Sequence, residues 1–82
     1  MQIKDARAII SGGASGLGQA VAEDVVAAGG SVALLDVNAE AGAALVARLG
    51  TRATYIATDV TSEAAVDAAV AQAARAMGGI NV

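Results

Sequence analysis

Residues 11–18 read Ser-Gly-Gly-Ala-Ser-Gly-Leu-Gly and follow directly on Ala8-Ile9-Ile10; half of this stretch is glycine in a chain that has 10 glycines in all. Without a Cβ, the backbone of such a turn can be approached closely. Between a strand and a helix, free N–H groups and the positive end of the helix dipole could hold a phosphate. A tight turn could also present a nucleophilic serine, or simply let another part of the chain pack close. Two carboxylates end the other apolar stretches: Asp36 follows Ser31-Val32-Ala33-Leu34-Leu35, and Asp59 follows Tyr55-Ile56-Ala57-Thr58.

Three known glycine spacings fail here. The triphosphate loop G-x-x-x-x-G-K-[ST] is met by Gly13 and Gly18, but Gln19 and Ala20 stand where lysine and a hydroxyl residue are required. A nucleophile elbow around Ser15 needs glycine at 13 and 17, yet position 17 is Leu17, and the chain has no histidine to activate a hydroxyl. The spacing G-x-G-x-x-G fails because the glycines fall as Gly12, Gly16 and Gly18. What remains is G-x-x-x-G-x-G after a strand.

That spacing resembles the first motif of the short-chain dehydrogenase/reductase family, T-G-x-x-x-G-x-G, with Ser11 in place of the threonine. The resemblance implies a nicotinamide dinucleotide whose pyrophosphate lies on the turn formed by Ser11, Gly12, Ser15, Gly16, Leu17 and Gly18. Gly12 would allow the turn, Gly16 the approach of the pyrophosphate, and Gly18 the packing of helix on sheet. Asp36, eighteen residues beyond Gly18, stands near the ~20-residue separation of the acid that accepts from the adenosine ribose. A strand-end acid capping its own turn is the other reading of Asp36. Asp59 and Val60 look like the family's adenine-contacting pair, although Asp before Thr61-Ser62 is also a common capping arrangement. A carboxylate at Asp36, with no cation at Ser15 or Val37, implies NAD as cofactor rather than NADP. Within the family, GGASGLG, ALLDVNAEAG and ATDVTSE look closest to the branch that contains type 2 3-hydroxyacyl-CoA dehydrogenases.

The elements that must position these residues alternate. Ala6–Ser11, Ser31–Val37 and Ala53–Val60 read as strands buried in a parallel sheet. Helices are expected from about Gly16 to Ala28, with Leu17, Ala20, Val21, Val25 and Ala28 on one face; from Asn38 as cap to Gly50; and from Thr61 or Ser62 to Gly78-Gly79. Ile80-Asn81-Val82 looks like the start of a fourth strand. The order β-α-β-α-β-α predicts an α/β fold of the Rossmann type, a doubly wound parallel sheet with right-handed crossovers and strand order 3-2-1. All three candidate sites then fall at carboxyl ends of strands, where open α/β sheets bind ligands.

Composition narrows the chemistry further. Eighty-two residues make one small domain, and 23 of them are alanine, which suits helices packed closely on a flat sheet. No cysteine and no histidine exclude thiolate zinc sites and Ser/His/Asp or Cys/His catalysis. Five scattered cations and a net charge of −3 argue against nucleic acid. No stretch approaches the ~18 apolar residues of a membrane span, and the apolar run at Ile9-Ile10 is too short for a signal core, so a cytoplasmic protein is expected.

The resemblance also implies where the chemistry stops. The family's catalytic serine, its Tyr-x-x-x-Lys pair and its substrate loop would lie beyond Val82, so residues 1–82 are expected to be a dinucleotide-binding portion that is inactive alone. Tyr55 does not match that pair, since the fourth residue after it is Asp59 and the single lysine is Lys4. The parent it resembles is a homo-oligomeric oxidoreductase acting on a secondary alcohol or ketone, with a 3-hydroxyacyl-CoA as one candidate. A dinucleotide-binding module without catalysis, or a self-associating structural fragment, are the alternatives.

Overall fold

The computed structural model describes residues 6–12 and 16–80. Its elements alternate as expected: β1 (Arg7–Ser11), α1 (Gly16–Ala27), β2 (Ser31–Asp36), α2 (Ala39–Leu49), β3 (Ala53–Ala57) and α3 (Glu63–Met77). The strands form one parallel sheet in the order β1-β2-β3, which is the predicted 3-2-1 read from the other edge. Arg7 pairs with Ser31 and Ser11 with Leu35 on one side of β2, and Val32 pairs with Ala53 and Asp36 with Ala57 on the other. The three strands therefore end nearly level, which brings Ser11, Asp36 and the turn after Ala57 to one rim.

Two apolar layers hold the sheet. Ala22 of α1 and Leu45 of α2 pack with Ala8, Val32, Leu34 and Ala53 on one face, while Ala69 and Ala73 of α3 pack with Ala33, Leu35 and Ile56 on the other. β2 lies in both layers at once, and Val32, Ala33 and Leu34 are fully buried, with Leu35 nearly so. This explains why its sequence is continuously apolar rather than alternating. Each such leucine or valine contributes about 1.5–3 kcal/mol by leaving water.

The helix ends follow the residues that mark them. Asn38 Oδ1 accepts from the Ala41 N–H at 3.0 Å and caps α2, and Ser62 Oγ accepts from the Ala65 N–H at 3.3 Å and caps α3. Gly78 ends α3 in the left-handed conformation, with φ +74°. Two expectations are corrected. β3 stops at Ala57 rather than Val60, because its partner β2 ends at Asp36 and turns into the α2 cap, leaving nothing to pair with Asp59 and Val60. The inward face of α1 is carried by Val25, as expected, together with Ala22 and Val26; Leu17 is 82% exposed, and Ala20, Val21 and Ala28 are exposed too. The helix is rotated so that Leu17 and Val21 overlook β1 instead of the centre of the sheet. Ile80 has no regular structure and packs against the α3 layer, and the rest of the expected fourth strand lies outside the described residues. Among the described residues no helix is long and apolar enough to cross a membrane.

Candidate functional site

β1 delivers the chain to the rim at Ser11, which is exposed, and Gly12 turns it with φ +67° while its N–H donates to the Leu35 carbonyl at 2.8 Å. This hydrogen bond ties the glycine turn to the residue before Asp36. Gly16, with φ +40°, opens α1. Side chains rarely adopt either conformation, so glycine is required by the backbone at both positions. A Cβ built at Gly12 or at Gly16 meets nothing within 4 Å among the described residues, so the space that these glycines leave is open to an incoming group.

The first turn of α1, Gly16-Leu17-Gly18-Gln19, holds no acidic residue, whereas α2 has Glu40 and α3 has Glu63 there. The positive end of the α1 dipole is thus unopposed by a side-chain carboxylate of its own first turn. A cleft of 510 Å³ opens beside it, lined by Ile9, Ile10, Ser11, Gly12, Leu17, Gly18 and Val21. It gathers Ser11, Gly12, Leu17 and Gly18 of the sequence-predicted residues and does not include Gly16, Asp36, Asp59 or Val60. Ser15 lies outside the described residues.

Asp36 closes β2 and is held through both its backbone and its side chain. Its carbonyl accepts from the Thr58 N–H at 3.0 Å and from the Tyr55 hydroxyl at 2.7 Å, and its Oδ1 accepts from the Asn38 N–H at 3.0 Å. Asp59 sits one turn further along the rim, exposed, with Oδ1 accepting from the Thr61 hydroxyl at 2.6 Å and the Thr61 N–H at 2.9 Å. Those two donors, the hydroxyl first, hold the Asp59 carboxyl below its ordinary value of 3.8. Val37 and Val60 are exposed beside the two aspartates, at 69% and 49%. Thr58, between the two loops, is buried and donates its hydroxyl to the Ile56 carbonyl at 2.9 Å.

The sequence did not point to Tyr55 and Gly42. The Tyr55 ring lies where a Cβ at Gly42 would be, so the glycine inside α2 is a contact requirement. A lone tyrosine facing a helix glycine is legible as a pair only once the β3–α2 packing is known.

The parallel sheet with alternating helices defines an open α/β fold of the Rossmann type. Residues 6–82 match the family described as short chain dehydrogenase, and the chain belongs to that family. It is 47% identical over 73 residues to 2,5-dichloro-2,5-cyclohexadiene-1,4-diol dehydrogenase of Sphingobium indicum, covering 89% of this chain and 29% of that protein. It is 42% identical over 80 residues to 3-hydroxyacyl-CoA dehydrogenase type-2 of Homo sapiens, covering 98% of this chain and 31% of that protein. Among solved structures, the 3-ketoacyl-(acyl-carrier-protein) reductase from Brucella melitensis complexed with NADH superposes with a TM-score of 0.85 at 32% identity, over 89% of this chain and 30% of that one. The chain thus spans about a third of the length of the relatives it matches. The type 2 3-hydroxyacyl-CoA branch anticipated from the sequence is represented among them.

Proposed function

We propose that residues 1–82 are the dinucleotide-binding portion of an NAD-dependent short-chain oxidoreductase that interconverts a secondary alcohol and a ketone. The observation that carries this reading is the pair Gly12 and Gly16, both at positive φ with open space before them, at the start of a helix whose first turn has no acid. Backbone N–H groups and a helix dipole in this arrangement fit a pyrophosphate. The bound dinucleotide supplies the two-electron redox chemistry of the reaction. Ser11, Gly12, Ser15, Gly16, Leu17 and Gly18 would hold its pyrophosphate side, Asp36 its adenosine ribose, and Asp59 with Val60 its adenine. The solved relative complexed with NADH supports a nicotinamide dinucleotide as the ligand.

NAD is preferred over NADP in this reading on charge grounds. Two like unit charges about 4 Å apart near a protein surface repel by about 4 kcal/mol, more than one ribose hydrogen bond returns. The turn after β2, Val37-Asn38, has no cation to offset a 2′-phosphate facing Asp36. Residues 1–82 act by holding and orienting; the Tyr55 hydroxyl is engaged with the Asp36 carbonyl, which removes it as a proton donor to substrate. A 3-hydroxyacyl-CoA is one substrate candidate, supported by the human relative.

Calorimetric titration of the full-length protein with NAD and NADP, with and without Asp36→Ala, tests the reading. The charge-assisted contacts of one carboxylate predict a loss of about ten- to hundredfold in NAD affinity, a smaller loss for NADP, and a melting temperature nearly unchanged. Equal losses in the titration and the melt would overturn it.

A further inference from the structure

Tyr55 is the only aromatic residue of the chain. In the middle of β3 it pairs across the ladder with Leu34, two residues before Asp36 and on the same face of the sheet. Its side chain lies along that face toward the rim. The ring fills the site left by the missing Cβ of Gly42 in α2, and the hydroxyl reaches the Asp36 carbonyl at 2.7 Å. A phenylalanine would fill the same volume; the hydroxyl adds only the bond to Asp36.

The contacts around this tyrosine close on themselves. Tyr55 holds the carbonyl of Asp36, and Oδ1 of Asp36 accepts from the Asn38 N–H at 3.0 Å. Asn38 caps α2 through Ala41, and its carbonyl accepts from the Gly42 N–H at 2.9 Å; Gly42 in turn admits the Tyr55 ring. β2's last residue, the following turn and the first turns of α2 are thereby fixed to β3 as one unit. A carboxylate on a flexible turn would have to be ordered when ligand binds, at a cost in affinity. In this circuit both the backbone and one oxygen of Asp36 are set beforehand.

We infer that Tyr55 is a positioning residue for dinucleotide recognition: through its hydroxyl it fixes Asp36 in the orientation that accepts the adenosine ribose and disfavours a 2′-phosphate. The inference rests on the NAD-binding reading of Asp36. Tyr55 touches no ligand atom in it, and its effect passes wholly through the aspartate.

A double-mutant cycle on the full-length protein tests this, with NAD and NADP titrated against wild type, Tyr55→Phe, Asp36→Ala and the pair. Loss of one hydrogen bond predicts a two- to tenfold fall in NAD affinity for Tyr55→Phe, roughly the factor a single neutral bond supplies, with a smaller fall for NADP. In the Asp36→Ala background the same change should alter NAD affinity less than about twofold, because the residue it acts through is gone. Gly42→Ala, which displaces the ring with its hydroxyl still present, should lower NAD affinity in the same way. Retained NAD affinity in Tyr55→Phe, or an equal fall in both backgrounds, would overturn the positioning role and leave the NAD-binding reading standing. An Asp36→Ala protein that binds NAD as wild type does would overturn both.

Discussion

Asp36 and Asp59 are the same residue at the same kind of place, the carboxyl end of a parallel strand, yet the chain treats them differently. Asp36 is the last paired residue of β2, opposite Ala57, and its carbonyl takes hydrogen bonds from two residues of the neighbouring strand and the turn after it. Asp59 lies past the end of β3, and both bonds to its Oδ1 come from Thr61, two residues on. The backbone of Asp36 is therefore positioned by tertiary structure, whereas its carboxylate, like that of Asp59, accepts from the N–H two residues on. A strand-end acid whose backbone is held from outside its turn is placed with respect to the sheet, and hence to anything bound along the rim. One whose described side-chain bonds all come from its own turn, with no neighbouring strand on its backbone, shapes the turn that starts the next helix.

The comparison is broken most directly by removing each carboxylate in turn. Asp36→Ala is expected to cost NAD affinity about ten- to hundredfold, while Asp59→Ala should cost only about two- to threefold, near the lower end of a single neutral hydrogen bond. Titration of both variants reads the ratio; equal losses would mean that the external support of Asp36 has no functional weight.

The next effect concerns stability. Alanine in place of a helix-interior glycine ordinarily gains about 0.5–1 kcal/mol. At Gly42 the new methyl would overlap the Tyr55 ring, and overpacking of this kind costs about 1–3 kcal/mol, so the sign should reverse. Urea unfolding of Gly42→Ala should show a lower midpoint than wild type. A higher midpoint would mean that the ring moves aside freely and that the circuit around Asp36 is loose.

The fold was legible because each element carried its own markers. Continuous apolar runs gave the buried strands, and Asn38, Ser62 and Gly78 gave helix ends that the structure places within a residue of expectation. Spacing alone set Ser11 and Gly12 at the end of β1 and Gly16 and Gly18 in the first turn of α1. What was not legible depends on neighbours distant in sequence. The end of β3 was overextended to Val60 because strand length is set by the partner strand, and β2 ends first. The expected face of α1 holds at Val25 and fails at Leu17 and Val21, which satisfy a helical period as well as Ala22 and Val26 do; only the packing against β1 and β2 selects the buried set. The local sequence shows that Tyr55 does not match a Tyr-x-x-x-Lys pair, but its link to Asp36 requires the ladder that sets Leu34 opposite it.

The smallest effect lies in acid titration and concerns the Asp59 loop alone. The Thr61 hydroxyl is the larger of two donors that hold the Asp59 carboxyl below 3.8, and the Thr61 N–H is the other. A carboxyl depressed on folding stabilises the folded state above its unfolded value, and that contribution is lost as the pH falls through the folded value. The contribution is therefore fully present at neutral pH, and its pH dependence lies below about pH 4. Thr61→Val removes the hydroxyl and keeps the N–H, so the Asp59 carboxyl should titrate closer to 3.8 without reaching it, as read by carboxyl carbon NMR across an acid series. The same substitution should leave NAD affinity within about twofold, since no contact of Asp36 includes Thr61 among its hydrogen-bond partners described above. An unmoved Asp59 titration would show that the loop is held by something other than its own threonine, and the contrast between an externally and an internally fixed aspartate would lose its second half.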